Sequence, residues 1–263
     1  TIAQLAIGGS HYAKLTASMQ AGFDLAQASS KTFGVPAVTW TQGEADYSIG
    51  TTIATYKSAL SAMRTQIEST AAGIAGASDP LKMITYQLAS HKAYSVTYPT
   101  IALALLAASK EDEHIHLATP MYPFTHNASD NVHLTAASSK KLGFYYGLAC
   151  KRVIIDKQDW KPVMPISKTV QGKLALVRFN VPMGKLVIDT TLVAANTNYG
   201  FNLFDAGGTE VAITSVEIVG PDTVKIVSTI NILAGFKLQY AFYGTGTTGP
   251  LVGPRGNLRD TQG

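Results

Sequence analysis

An α/β domain with a parallel sheet, followed by a small antiparallel β-sandwich, is the fold class that this sequence predicts. Over the first 150 or so residues short apolar runs alternate with longer amphipathic ones, the pattern of parallel strands covered by helices. After Asp159-Trp160-Lys161-Pro162 no long helical pattern follows, and the runs become short and β-rich. The 263 residues also leave room for one sizeable core plus a smaller module, since domains most often hold ~100–150 residues.

In chain order, the apolar runs at residues 2–7, 35–40, 81–86 and 114–118 read as strands. Between and after them lie helical patterns at about residues 13–31, 52–72, 97–109 and 135–153. The last places Leu142, Tyr145, Ala149 and Val153 on one face of a helix, with Thr135 where an N-cap belongs. Pro162 and Pro165 punctuate the junction. Strands are then predicted at residues 174–179, 186–188, 211–218, 224–230 and 236–242, separated by turn signals such as Gly207-Gly208 and Gly220-Pro221-Asp222. Residues 243–263, rich in Gly, Thr and Pro, read as a loop or tail. The domains are therefore expected at 1–160 and 166–263.

Composition excludes several functions. Apolar residues make up 46% and charged residues 14%, so the chain should fold and present a surface of Ser, Thr, Asn and Gln. The net charge of +4 is scattered rather than drawn into a basic stripe, which argues against nucleic acid. Cys150 is the only cysteine, so neither an intrachain disulfide nor a thiolate metal cluster can form, and it sits on an apolar helical face as an inert thiol. No run approaches the ~20 apolar residues of a membrane span. The chain opens without Met inside an apolar run, which is expected of a fragment or a processed product.

Three segments at or near predicted strand ends carry chemistry, and open α/β sheets bind ligands there. In Ile7-Gly8-Gly9-Ser10 a strand ends in two glycines ahead of a helix, so backbone N–H groups can approach an anion; a plain tight turn is the alternative. In Trp40-Thr41-Gln42-Gly43-Glu44-Ala45-Asp46, Gln42 can donate to a developing oxyanion, Gly43 permits a sharp turn and Glu44 can accept hydrogen bonds. The same acids could hold Ca2+, although no regularly spaced further ligands follow. Trp40 can stack on a sugar or simply pack. In Asp130-Asn131-Val132-His133, an Asp three residues before a His can accept its Nδ1–H and leave Nε2 as a general base; a turn and a helix cap would use the same residues. Ser10 and His11 follow the glycine pair and could contact substrate, as could His126. His114 and His116 share one face of a strand and read as packing.

Trp40-Thr41-Gln42-Gly43-Glu44-Ala45-Asp46 resembles the W-x-Q-G-E-x-D block of the sialate O-acetylesterase-like and acetylxylan-esterase-like branches of the SGNH (GDSL) hydrolases. Asp130-Asn131-Val132-His133 is similar to their final D-x-x-H block, and Ala6-Ile7-Gly8-Gly9-Ser10 to their A-x-G-G-S/T segment. The resemblance covers roughly residues 1–155 and implies a flavodoxin-like three-layer α/β/α sheet. It implies His133 as general base, Asp130 as its orienting acid, and an oxyanion hole from Gly8, Gly9 and Gln42. Some relatives give Glu44's position the acid role; here Glu44 is expected to shape the site. Gly256-Asn257-Leu258-Arg259-Asp260 resembles a tail of versions found in bacteriophage tailspikes.

The family's serine lies in a first block, G-Q-S-N or G-D-S, at the end of the first strand, and the chain contains neither string. The resemblance therefore implies that an upstream segment or a second chain supplies the first strand and the nucleophile, with Ser10 as the fallback. The expected activity is a serine-type carbohydrate esterase that removes O-acetyl groups from a surface polysaccharide, with no cofactor or metal, in a virion tail or at the cell surface. A homotrimer is expected by analogy with tailspikes. The alternative is a non-catalytic glycan-binding or structural module of a phage tail or surface assembly. A phosphate-binding α/β domain lacks the G-x-G-x-x-G or P-loop pattern.

Overall fold

A computed structural model describes residues 1–5, 9–76, 79–242, 244–245 and 253–261. Contacts divide the chain into two compact units, the first of residues 1–88, 100–118 and 143–160, the second of residues 89–99, 119–142 and 161–263. Residues 89–99 and 119–142 thus cluster with the later part of the chain.

The first unit centres on strands β1 (Ala37–Thr39), β2 (Lys82–Gln87) and β3 (Ile115–Pro120), hydrogen-bonded in the order β1-β2-β3. β1 runs parallel to β2, with Val38 opposite Met83. Met83, Ile84, Thr85 and Tyr86 are all buried, as expected of a strand covered on both faces. Around the sheet come α1 (Ser10–Ala28), α2 (Glu44–Ser48), α3 (Ile53–Ala75) and α4 (Thr100–Glu111). α3 buries Tyr56, Leu60, Met63, Ile67 and Ala71, a 3.6-residue repeat in which each large side chain contributes about 1.5–3 kcal/mol on leaving water. Thr52 caps it by accepting from the Thr55 amide at 3.1 Å, and Gly76 ends it at φ 85°. α5 (Ala136–Cys150) continues into a π-helical turn at Lys151–Ile155, and its predicted face is buried at Leu142, Tyr145, Ala149 and Val153. Trp160 then seats its indole N–H on the Ala118 carbonyl at 3.0 Å.

The strand expected at residues 2–7 is instead a 3-10 turn over Ile2–Leu5; residues 6 and 7 lie outside the described residues. A strand must share its backbone groups with a neighbour, and no described strand pairs with this segment. Its Ile2 amide donates to Asp46 Oδ2 at 2.9 Å instead.

The second unit is antiparallel. Its largest sheet has the order β4-β5-β10-β9, from β4 (Met164–Gln171), β5 (Leu174–Asn180), β9 (Ile213–Ile218) and β10 (Thr223–Ser228). A second sheet joins β11 (Lys237–Tyr240), β7 (Phe201–Phe204) and β8 (Glu210–Val211), and β6 (Leu186–Ile188) pairs with β14 (Leu258–Asp260). The two-residue strands β12 (Gly244–Thr245) and β13 (Gly253–Pro254) pair with each other. Ala175, Val177 and Phe179 alternate inward from β5 to meet Leu186, Phe201, Val216, Val224, Ile226 and Leu258.

Three expectations change here. The run at 211–218 is two strands, β8 and β9, which join different sheets on either side of Ala212. Pro165 lies inside a strand rather than in the junction it was expected to punctuate, because β4 is an edge strand with a register shift at Pro165/Ser167, where a missing N–H is tolerated. The tail is not all loop: Arg255, Gly256, Asn257, Leu258 and Asp260 are buried, and β14 completes a ladder with β6.

Candidate active site

In the first unit the ladder carries past β1, with the Trp40 amide on the Ile84 carbonyl at 2.8 Å. The Trp40 carbonyl is held by Thr85 Oγ1 at 3.0 Å and Tyr146 Oη at 2.9 Å, so the polar loop leaves the sheet from a fixed point. Gly43 then turns at φ 152°, where a Cβ would lie 2.9 Å from Ile101 Cγ2 and 3.0 Å from Leu88 Cδ1. Only glycine fits both the backbone and the space.

That turn aims Gln42 at Asp46. Gln42 Nε2 donates to Asp46 Oδ2 at 2.7 Å, while Tyr56 Oη donates to the Gln42 carbonyl at 2.8 Å and lies 3.2 Å from Oε1. The amide is thus oriented by a carboxylate on one side and a phenol on the other, and one Nε2–H remains after the Asp46 bond. Asp46 is 1% exposed, and its other oxygen accepts from Thr51 Oγ1 at 2.9 Å. Glu44, at the start of α2, accepts from Tyr86 Oη at 2.6 Å. Burial pushes the Tyr56 and Tyr86 phenols well above their ordinary range, so both stay protonated donors. Trp40 gives its indole N–H to Tyr56 Oη at 3.2 Å and is 9% exposed, which leaves little of its ring for a sugar.

Gly9 is the N-cap of α1, and Ser10 and His11 are exposed in its first turn. Gly8 lies outside the described residues.

In the second unit, Asp130 and His133 form a self-contained pair. Nδ1 of His133 lies 2.8 Å from Asp130 Oδ2, and Asp130 Oδ1 accepts the Val132 amide at 2.9 Å and the His133 amide at 3.0 Å. Asn131, at φ 57°, supplies the left-handed residue that this tight turn requires. The bond to His133, then those to the two amides, hold the Asp130 carboxyl down at about 2. The carboxylate therefore favours the tautomer with the proton on Nδ1, leaving Nε2 as the acceptor on an imidazole that is 80% exposed. The loop is closed by a bridge between His126 and Leu134, by the Asn127 amide on the His133 carbonyl at 2.6 Å, and by the Thr135 amide on the Thr125 carbonyl at 3.1 Å. Thr135 then caps α5 by accepting from the Ser138 amide at 3.3 Å.

Among the described residues no cluster of His, Cys, Asp or Glu could hold a metal ion, and no helix is long and apolar enough to cross a membrane.

No protein-family profile matches the chain, and no curated protein does. A solved structure does. The chain shares the fold of a carbohydrate acetylesterase from Xanthomonas citri, with a TM-score of 0.65 and 18% identity over 88% of this chain and 48% of that one. It spans about half the length of that enzyme.

Sequence reasoning missed Asp46 and Tyr56 as partners of Gln42. Asp46 stood in the quoted motif, four residues after Gln42, which is one turn of helix. Tyr56 reaches Gln42 from α3, and nothing local marks it. His116 is buried on β3, as its place on a strand face suggested. Cys150 is half-buried, and burial pushes its thiol up.

Proposed function

We propose that this chain belongs to a serine-type carbohydrate O-acetylesterase of SGNH layout, with its nucleophile supplied from outside the chain. The observation that carries the reading is the Asp130–His133 pair, in which a carboxylate pinned by two backbone amides fixes the tautomer of an exposed imidazole. A site built only to bind sugar has no need of a histidine held in this way. The Xanthomonas citri fold-mate, itself described as a carbohydrate acetylesterase, supports the same class.

In this reading the serine hydroxyl attacks the acetyl carbonyl while His133 Nε2 takes its proton. The remaining Nε2–H of Gln42, with backbone N–H groups of Gly8 and Gly9, holds the oxyanion, and Glu44 shapes the loop beside them. The protonated His133 gives its proton to the departing sugar oxygen. Water, deprotonated by His133, then releases acetate and restores the serine. The substrate is an O-acetylated surface polysaccharide, met in a virion tail or outside a cell, and the antiparallel half is a sandwich that would serve a homotrimer or the glycan.

The test is to incubate the chain, with and without its upstream segment, with an activated acetyl ester, and to repeat with His133→Ala. Turnover that needs both the segment and His133 supports the esterase. No turnover by the reunited protein overturns it and leaves a glycan-binding module.

A further inference from the structure

We propose that Arg255, in the C-terminal tail, is a positioning residue for His133, holding the loop that carries it at the height catalysis needs. The inference rests on the esterase reading above. His133 is 80% exposed and its ring is bonded to Asp130, which rides on the same turn. Packing therefore does not place the imidazole; the loop backbone must.

Arg255 grips that backbone. It is 3% exposed, and its Nη1 donates to the carbonyls of Tyr122, at 3.0 Å, and Phe124, while Nη2 lies 3.5 Å from His126 Nδ1. The three acceptors fall on alternate residues of one segment, which a planar fork can span and a single ammonium cannot. His126 is bridged to Leu134, and the Asn127 amide bonds the His133 carbonyl, so a shift at residues 122–126 passes directly to His133. Burial, then the charge of Arg255, hold His126 down at about 4, which keeps it a neutral acceptor.

The tail is itself clamped. A Cβ at Gly256 would overlap the Tyr240 ring, and one at Gly200 would come within 2.6 Å of the Arg255 carbonyl. The Leu258 amide donates to Tyr240 Oη at 2.8 Å, and Tyr122 Oη donates to the Leu258 carbonyl at 2.7 Å. Tyr240 packs at 4.6 Å from Phe201 in the aromatic core. The guanidinium thus ties the His133 loop to the rigid β core rather than to a free end.

The experiment compares the full chain with Arg255→Lys and with the milder Tyr122→Phe, which cuts the tail's second link to the loop. Hydrogen exchange is read at the amides of Asn127 and Thr135, with β10 as the fold control, and ester turnover is read on the chain reunited with its upstream segment. The expected result is at least about tenfold faster exchange at Asn127 and Thr135 with β10 unchanged, and a roughly 10- to 100-fold lower kcat at constant KM, as misplacement of a catalytic group gives. Tyr122→Phe should move both in the same direction by less. Unchanged loop exchange, equal acceleration in β10, or a loosened loop with full kcat would each overturn the proposal. If the unsubstituted, reunited protein turns over no ester, the esterase reading fails and the catalytic role fails with it, while the exchange data still decide whether Arg255 braces the loop.

Discussion

Asp46 takes a 2.7 Å hydrogen bond from the Gln42 side chain while Tyr56 donates to the Gln42 carbonyl, so the one glutamine of the candidate oxyanion hole is oriented from two directions. The same carboxylate also accepts from the Ile2 amide and the Thr51 hydroxyl.

Asp46→Ala would leave these three donors without their carboxylate. The expected loss of stability is about 2–4 kcal/mol, since a buried hydrogen bond to a charged group contributes ~1.5–3 kcal/mol and the losses at one site are not additive. Urea unfolding of the two proteins measures it, and a loss below about 0.5 kcal/mol would show the network to be incidental.

Gly43→Ala should destabilise by about 2–4 kcal/mol, combining a strained φ with overpacking. The new Cβ meets Ile101 at 2.9 Å and Leu88 at 3.0 Å, both packed side chains with little room to give. A thermal scan showing an unchanged midpoint would contradict this.

The Asp130 carboxyl is held at about 2 against an ordinary 3.8, so the folded protein binds this proton less readily than the unfolded chain does. Its contribution to stability is complete above the ordinary value and is lost as pH falls through about 2. The carboxyl carbon signal of Asp130 in NMR should accordingly titrate near 2 rather than near 4. Asp130→Asn presents an amide N–H or a weaker acceptor to His133, and under the proposed esterase reading ester turnover by the reunited protein should fall by roughly 10^3–10^4-fold through the wrong tautomer.

His91 and His126 are both held down at about 4, first by burial, so they are neutral in the folded protein where the unfolded chain takes up protons at about 6.5. Stability should therefore decrease as pH drops from about 6.5 to about 4, because the unfolded state binds more protons in that window. His126→Gln should flatten part of that slope in unfolding curves measured across it; an unaltered slope would contradict the assignment.

Asn257 spends its amide on carbonyls of Asp189, Val193 and Ala194 and accepts from the Asn196 amide. Asn257→Ala should cost about 2–3 kcal/mol in urea unfolding, the penalty of leaving several buried backbone groups unpaired.

Much of this was legible because it is local. The strands at 37–39, 82–87 and 115–120 overlap the short, apolar-rich runs that read as strands, α3 repeats its buried residues every three or four positions, and Asp130 reaches His133 within one turn. The misreadings share a non-local cause. Residues 2–5 have strand composition but no described partner strand, so an apolar run became a 3-10 turn. β4 has almost no buried side chain to signal it and exists because β5 offers it a ladder. The tail looked like a loop because its Gly and Pro content is real, yet Arg255, Asn257 and Leu258 are buried by groups from more than a hundred residues away to as few as eighteen.

Residue order alone thus established the α/β-then-β succession, allowed the sharp turn at Gly43 and offered the pairing of Asp130 with His133 beside a plain turn and helix cap, because each follows from backbone preference or from neighbours within a few positions. Tertiary structure decided that Tyr56 and Asp46 would orient Gln42 and that Arg255 would hold the His133 loop. Those contacts join segments brought together by core packing, and burial in that core is what makes leaving any of their hydrogen bonds unmade costly.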